Sequence, residues 1–589
     1  MTTTLDLVAI GRVSVDLYGQ QVGSRLEDIA SFAKAVGGSP ANVAIGAARL
    51  GLKSALITRV GDEPMGRFVR EQLAREGVET RGVHTDPERL TALVLLSVRD
   101  AETFPLVFYR ENCADAALAP DDIDEGLVAS ARALLVTGTH FAGATAAAAQ
   151  VRAMTVARAH GRKVILDIDY RPNLWGIGGH GAGESRYARS ARVTAALSPL
   201  LQSCDLIVGT EEEIHIAAGH EDTLEALRRI RALSAAVIVC KRGAQGCIVF
   251  AGAIPPRLEQ GLVAPGMEIE VYNVLGAGDA FLAGFLLGYL RDEPHQVSAR
   301  FANACGALAV SRLLCSPEFP SRAELDHLLV HGSAFRQLRA DPQLSQLHWA
   351  TTRGAGPAAL FVLGSGGDAS RAVEAAARFA AGRAGFGVRL AASAPPASLQ
   401  AAQRQGLWLA RSSDPDCPSL ASALLEWPAG VTVCGECGCD PREEAAEERY
   451  LLRLAAACRA QRRELLIGLR AGQAGEARAD SVATLTRLYG LGIRPEWWAL
   501  EPQPGAAAWE SCAKVIAGSD PWCRGVLLRL DEPTAAVAAL STAAAVPIVR
   551  GFIAGGSMFA DAGPEPAVRE VADRLRALLG AWTSARSGH

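Results

Sequence analysis

Long hydrophobic runs are missing from this 589-residue sequence, and so is any strong excess of charge of one sign. No apolar stretch approaches the roughly 20 residues that a membrane helix needs. The first residues, MTTTLDLVAIGR, lack the basic-then-apolar layout of a secretion signal, and their apolar run reads as a buried strand. A net charge of −4 gives no electrostatic reason to expect nucleic acid or an anionic membrane as a partner. Aromatic residues are scarce at 6%, yet 49% hydrophobic and 21% charged residues describe ordinary globular protein rather than disorder. The 13 cysteines are scattered, mostly inside apolar segments, as reduced thiols are, and a cytoplasmic location is expected. Lysine and histidine nearly vanish after residue 348. Lys514 stands alone there, and no histidine occurs between His348 and His589.

A chain of this length exceeds what one core can serve, so two or more domains are expected. Residues 5–330 alternate short Val/Ile/Leu runs (LDLVAIG, SALITRV, ALLVTG, KVILDID, DLIVG, AVIVCK) with Ala-rich amphipathic stretches. That alternation predicts a mostly parallel sheet flanked by helices. Residues 331–356 carry no sustained apolar strand and run into Gly and Pro, so they read as a linker between a domain at 1–330 and another at 357–589. Eight strand candidates follow, at 358–363, 386–391, 406–411, 430–434, 464–469, 497–500, 525–530 and 546–551. Helical stretches lie between most of them, which predicts a (β/α)8 barrel.

The densest chemistry lies in Asn273-Val274-Leu275-Gly276-Ala277-Gly278-Asp279-Ala280-Phe281. Glycines at such a turn let backbone N–H groups converge on an anion, and the apolar helix that follows adds its positive N-terminal end. Asp279 is then placed to take a proton from an attacking hydroxyl. Upstream, Gly37-Gly38-Ser39-Pro40-Ala41-Asn42 precedes an Ala-rich helix. Its glycines allow a polyhydroxy compound close to the main chain, and Asn42 can donate and accept toward hydroxyls.

Together the two motifs resemble the signatures of the ribokinase-like (PfkB) carbohydrate kinases, over roughly residues 5–325. The resemblance implies a three-layer α/β domain with a small β lid, transferring the γ-phosphate of ATP to a primary hydroxyl with Mg2+. K+ is a candidate for ordering the Gly-Ala-Gly turn. It implies Asp279 as base, with amides of Gly276, Ala277 and Gly278 as the anion hole. Asp16 would bind substrate hydroxyls, with Gly37, Gly38 and Asn42 beside it. The family's Asn-x-x-Glu element stands here as Thr210-Glu211-Glu212-Glu213, with Glu213 implied in Mg2+ contact through water. Lys241, Gly243 and Gly246 match the nucleotide-side loop, and Asn303 the adenine-side wall; a packed, purely structural asparagine is the alternative there.

Two arginine segments bear on the substrate: Phe108-Tyr109-Arg110-Glu111-Asn112, and Asp167 to Trp175 with Asp169 and Arg171. Arginine suits bidentate carboxylate recognition, and two near one site suggest a sugar acid. With GRVSVDLYGQQ and VGTEEEIHIA they resemble the 5-dehydro-2-deoxygluconokinases of inositol catabolism, implying phosphorylation of the 6-hydroxyl of 5-dehydro-2-deoxy-D-gluconate. Kinases of 2-keto-3-deoxygluconate are the alternative. A homo-oligomer is expected, with ATP and the sugar acid as small-molecule partners.

RPEWWALEPQP, DPWCRGVLLRLDEP and VRGFIAGGSMFADA resemble class I aldolase-like barrels that are fused to such kinases and are associated with 5-dehydro-2-deoxyphosphogluconate cleavage. Gly555-Gly556-Ser557 follows the last strand, where barrels commonly bind phosphate. A class I aldolase needs a Schiff-base lysine in the barrel, and a class II enzyme a metal usually held by histidines. Lys514 sits in a helical pattern instead, and positions where lysines are expected read Val433, Ala499 and Arg550. The barrel is therefore expected to lack catalytic residues. A bifunctional kinase–aldolase and a sugar-phosphate-binding regulator remain as alternatives. Cys434, Cys437 and Cys439, with Cys417 upstream, have ligand-like spacing, but Cys434 reads as a core thiol of a strand.

Overall fold

The short apolar runs of the first half become strands because each is buried on both faces by helices. In the computed structural model, which describes residues 4–100, 103–180, 183, 187–365, 367–438, 444–470, 480–558 and 568–587, the chain divides into two compact units, Met1–Arg353 and Gly354–His589. The first contains β1 (Leu5–Ile10), β2 (Ser14–Gly19), β3 (Phe32–Gly37), β4 (Ser54–Gly61), β5 (Val83–Asp86), β6 (Ala92–Leu96) and β7 (Leu106–Tyr109). It continues with β8 (Ala131–Thr137), β9 (Lys163–Asp167), β10 (Leu206–Thr210), β11 (Val237–Lys241), β12 (Cys247–Phe250) and β13 (Leu262–Ala264).

Among the described residues these form a nine-stranded sheet in the order β13-β12-β11-β10-β9-β8-β1-β4-β5, and a four-stranded sheet in the order β3-β2-β6-β7. The large sheet is parallel from β5 to β11, with β12 and β13 antiparallel at one edge. Alternation on β1 shows why both faces must be covered: Leu7 and Ala9 join one apolar core, Val8 and Ile10 the other. This is the ribokinase-like α/β domain, and the small sheet is its β lid.

The helix Ala277–Tyr289 is apolar on every side, and Ala280 through Tyr289 are all buried. Its Gly284 and Gly288 lie against the helix His295–Val310, where a Cβ at Gly284 would stand 2.7 Å from the Phe301 carbonyl. Close helix packing thus fixes the helix whose first turn carries Asp279.

The second unit contains β14 (Leu360–Gly364), β15 (Phe386–Leu390), β16 (Trp408–Ser412), β17 (Thr432–Cys437), β18 (Leu465–Leu469), β19 (Trp497–Leu500), β20 (Gly525–Leu530) and β21 (Val549–Ala554). They form a closed parallel barrel, with Leu360 to Leu363 of β14 in register with Gly551 to Ala554 of β21. Several strands begin later than the apolar pattern predicts; β21 starts at Val549 rather than 546, because Pro547 cannot donate to the ladder. Leu360, Val362, Cys434, Leu466, Trp497 and Leu527 fill the lumen, so its lower part is a packed core.

The stretch 331–356, read from the sequence as a linker, contains a helix, Pro342–Thr352, whose Leu344 joins the core of the first unit with Leu338. Asp341 caps that helix through the Gln343 and Leu344 amides, with proline at its first position. Among the described residues, no helix is long and apolar enough to cross a membrane.

Truncating Phe552, fully buried and 5.3 Å from the Phe361 ring, tests the barrel core. Phe552→Ala is expected to destabilise the second unit by about 3–5 kcal/mol, read as a lowered denaturation midpoint for that unit alone.

Candidate active site

The predicted catalytic residues meet where the C-terminal ends of the central strands face the start of the helix Ala277–Tyr289. Asn273 builds the approach to that helix. Its buried side chain donates to the Leu313 carbonyl at 2.6 Å and accepts from the Leu275 amide at 3.0 Å. Gly276 then takes the left-handed conformation, φ +77°, with its Cα so close to Cys315 that a Cβ would lie 2.6 Å from the sulfur. The Ala277 amide turns to the Val274 carbonyl at 3.3 Å, which leaves Gly276 and Gly278 as the freer of the three turn amides.

Asp279, in the first helical turn, accepts from Asn42 Nδ2 at 2.8 Å, so the two sequence motifs 237 residues apart are in direct contact. Burial and the charge of Asp169 push its carboxyl above the usual range, while Asn42 and Ser39 pull the other way. Gly38 begins the helix Ser39–Arg49 at φ +96°, where a Cβ would meet the Arg12 carbonyl at 2.5 Å. Gly37 lies directly beneath the Asp16 carboxylate, and a Cβ there would collide with it. The paired glycines therefore seat Asp16 and Arg12.

Asp16, on β2, is buried and accepts from Ser14 Oγ at 2.7 Å. Burial lifts its pKa to about 6, against the nearby charges of Arg12 and Arg110. Arg12 is buried with Asp169 at 2.9 Å, and both Asp169 carboxylate oxygens face it. Asp169 itself has φ +34°, strained for a residue with a side chain, and Thr139 also hydrogen-bonds its carbonyl. Asp169 thus positions Arg12. Arg110 is held by Asp115 at 2.6 Å, and Asp115 also accepts from the Val13 amide. His140 Nε2 lies 3.1 Å from the Asp115 carbonyl, and burial lowers its pKa to about 4. Tyr109, at the end of β7, is exposed at 60%.

The remaining predicted residues gather around Lys241, at the end of β11. Its ammonium lies 3.4 Å from both Asp167 and Glu213, close beside Gly278. Burial opposes that charge, but the two carboxylates more than offset it and hold the lysine charged. Burial also pushes Asp167 up, with Lys241 pulling it back. Glu213 goes the other way: Lys241 and Arg171 outweigh its burial and keep it ionised.

Thr210 and Glu213 form a reciprocal cap on the helix Glu211–Ala218, at 2.7 and 3.2 Å, and Glu213 also accepts from the Tyr170 amide. The charge of Arg171 therefore acts on Glu213, whereas the charges of Arg12 and Arg110 act on Asp16. Gly243 and Gly246 both take positive φ in the loop after β11. Asn303 donates to the Ala264 and Pro265 carbonyls at 3.0 and 2.9 Å, tying down the neighbouring loop.

Arg12, Ser39, Asp115, His140 and Asp167 also belong to this cluster; Arg12, Ser39 and Asp167 lie inside quoted segments without being singled out there, whereas Asp115 and His140 carry no motif signal. Arg12, His140 and Asp167 share a positional signal: each lies at or just beyond the C-terminal end of a parallel strand, where open α/β sheets place ligands.

In the barrel, Lys514 is on the exposed side of the helix Ala506–Ser519. Ala499 faces the lumen, while Val433 packs outward and Arg550 is exposed. Cys434 lies in the lumen core and Cys437 in the outer core, on opposite faces of β17; Cys439 lies outside the described residues.

The pfkB family carbohydrate kinase model matches residues 4–322, more than half of the sequence, and the chain belongs to that family. A second model, "Uncharacterized protein conserved in bacteria (DUF2090)", matches residues 368–584 and, with the closed barrel, agrees with a fused aldolase-like domain. The 5-dehydro-2-deoxygluconokinase of Geobacillus kaustophilus (strain HTA426) is 32% identical over 342 residues, 56% of this chain and 97% of that protein. That of Shouchella clausii (strain KSM-K16) is 33% identical over 330 residues, 55% of this chain and 95% of that protein. Among solved structures, a PfkB protein from Polaromonas sp. JS666 is 30% identical, covering 55% of this chain and 99% of its own, with a TM-score of 0.47. The N-terminal unit is a carbohydrate kinase of this family.

Because burial raises Asp16 from 3.8 to about 6, its ionisation opposes folding. The stability it lends is full below pH 4 and lost as pH rises through 6, a swing of about 3 kcal/mol. Asp16→Asn should therefore raise the first unit's urea midpoint at pH 7.5 and leave it nearly unchanged at pH 4.

Proposed function

We propose that the first unit transfers the γ-phosphate of ATP to the 6-hydroxyl of 5-dehydro-2-deoxy-D-gluconate. The observation that carries this reading is the pair of buried guanidiniums, Arg12 and Arg110, each held by its own aspartate and both acting by charge on Asp16. Asp16 and Asn42 receive sugar hydroxyls, and the arginines draw in the acid group. The names of the relatives support the same substrate.

In the reaction the 6-hydroxyl oxygen attacks the γ-phosphorus and its proton passes to Asp279. The bond from that phosphorus to the bridging oxygen breaks, and ADP leaves with the electron pair. A raised carboxylate pKa brings Asp279 nearer to neutrality and makes it a stronger base. The Gly276 and Gly278 amides, the helix N-terminus and Lys241 stabilise the charge that spreads over the transferring group.

Carboxylate oxygens suit a hard divalent cation such as Mg2+, which would neutralise phosphate charge when bound. Among the described residues no three His, Cys, Asp or Glu side chains gather as a metal cage. Glu213, whose oxygens already serve Thr210, Tyr170 and Lys241, would reach such an ion through water.

The barrel does no Schiff-base chemistry in this reading, since its one lysine is exposed on a helix. Supplied with ATP and a panel of sugars, the chain should release ADP fastest with 5-dehydro-2-deoxygluconate, more slowly with 2-keto-3-deoxygluconate, and least with neutral hexoses. Asp279→Asn should lower kcat by at least about 100-fold. A preference for neutral hexoses contradicts the substrate, and unchanged turnover in Asp279→Asn contradicts the mechanism. Malonate semialdehyde release, whether or not it survives Lys514→Ala, would contradict a non-catalytic barrel.

A further inference from the structure

We propose that the C-terminal mouth of the barrel is a second small-molecule site, separate in chemistry from the kinase site, for a polyhydroxy compound bearing a carboxylate or phosphate. Strand alternation marks the change of character. Cys434, Leu466 and Leu527 point into the apolar lumen. Two residues further along the same faces stand Glu436, Gly468 and Arg529, and Arg389 of β15 shares that inward set. Aliphatic packing gives way within one layer to charge and glycine, at the end of the barrel where all eight strands deliver their C-terminal ends.

Glu436 bridges the mouth. One carboxylate oxygen accepts from Arg389 at 2.6 Å and the other from Arg529, also at 2.6 Å. Arg470 approaches the same carboxylate at 4.0 Å, and Asp531 lies 3.4 Å from Arg529 at the rim. Gly468 makes the bridge possible, since a Cβ there would stand 2.6 Å from Glu436 and 3.1 Å from Arg529. Arg529 is 12% exposed, while Glu436 at 25% and Arg470 at 55% keep the group open to solvent.

Fixing two guanidiniums on one partly buried carboxylate, with a third nearby, is a poor way to stabilise a barrel, because hydrophobic filling of the same layer does as well or better. It is a good way to hold forked donors still. Arg389 gives one terminal nitrogen to Glu436, and Arg529 gives one to Glu436 and one to Asp531, so each still has N–H hydrogens for an incoming anion. The acids beside them, Glu436 and Asp531, add acceptors for hydroxyl hydrogens, and the charge of Glu501 also acts on Arg529. Mixed donors and acceptors of this kind suit a sugar acid or sugar phosphate better than a bare inorganic anion. None of these groups is a nucleophile for carbonyl chemistry, so the site is one of binding.

Isothermal titration calorimetry on the full chain tests this, with 6-phosphogluconate, gluconate, glucose 6-phosphate and glucose as probes. Arg110→Gln serves as the background, so that kinase-side binding does not mask the barrel. At least one charged probe should bind saturably and glucose should not; gluconate against glucose 6-phosphate shows which anion is read. Adding Arg529→Gln should weaken binding at least tenfold. Arg389→Gln, at a more exposed position, should do the same and covers the case in which the first variant misfolds. Binding unchanged in both variants, binding abolished by Arg110→Gln alone, equal binding of glucose, or no saturable binding of any probe overturns the proposal. ADP release is read separately, so loss of one site does not mimic loss of the other.

Discussion

Five carboxylates crowd one corner of the first unit, and they can share it only because Arg12 and Lys241 are buried with them. Asp16, Asp167, Asp169, Glu213 and Asp279 would repel one another if left unpaired. Arg12 takes both oxygens of Asp169, and Lys241 stands between Asp167 and Glu213. Two of the five, Asp16 and Asp279, are left without a cation in direct contact, and burial raises the pKa of each. Those are the two with chemical work in the proposed reaction. The paired acids hold the cations, and the other two are left for the proposed reaction.

The same balance explains local features that look unrelated in sequence. Gly37 and Gly38 are required beneath Asp16 and Arg12, whatever ligand they also admit. The strained backbone of Asp169 is held by Arg12 and Thr139. Thr210, standing where the family pattern has asparagine, completes a helix cap with Glu213 and so fixes the carboxylate that anchors Lys241.

Most of the architecture was legible because parallel strands buried on both faces leave continuous apolar runs, and eight such runs recur in the second half. Strand ends were less so: Pro547 and the turn residues around it displaced β21 toward the C-terminus. Asp279 and Asn42 were legible through motif spacing, and the structure brings them into contact. Arg12 was not, because an isolated arginine after a strand carries no pattern; its meaning depends on Asp169, 157 residues away. Arg171 stood out in its segment as a substrate residue, and in the structure its charge also acts on Glu213.

The barrel repeats the theme of caged guanidiniums without the acid–base residues of the first unit, with Glu436 holding Arg389 and Arg529 as Asp169 holds Arg12. The central claim is that Arg12, locked by Asp169, lets the kinase site read an acid group. Its most direct test is the ratio of kcat/KM for 5-dehydro-2-deoxygluconate to that for the analogue with C1 reduced to an alcohol, in the native chain and in Arg12→Lys. A ratio of about 100 or more that falls at least tenfold in the variant is the predicted result, since lysine keeps the charge but loses the fork. A ratio near one, or one that Arg12→Lys leaves unchanged, contradicts the account.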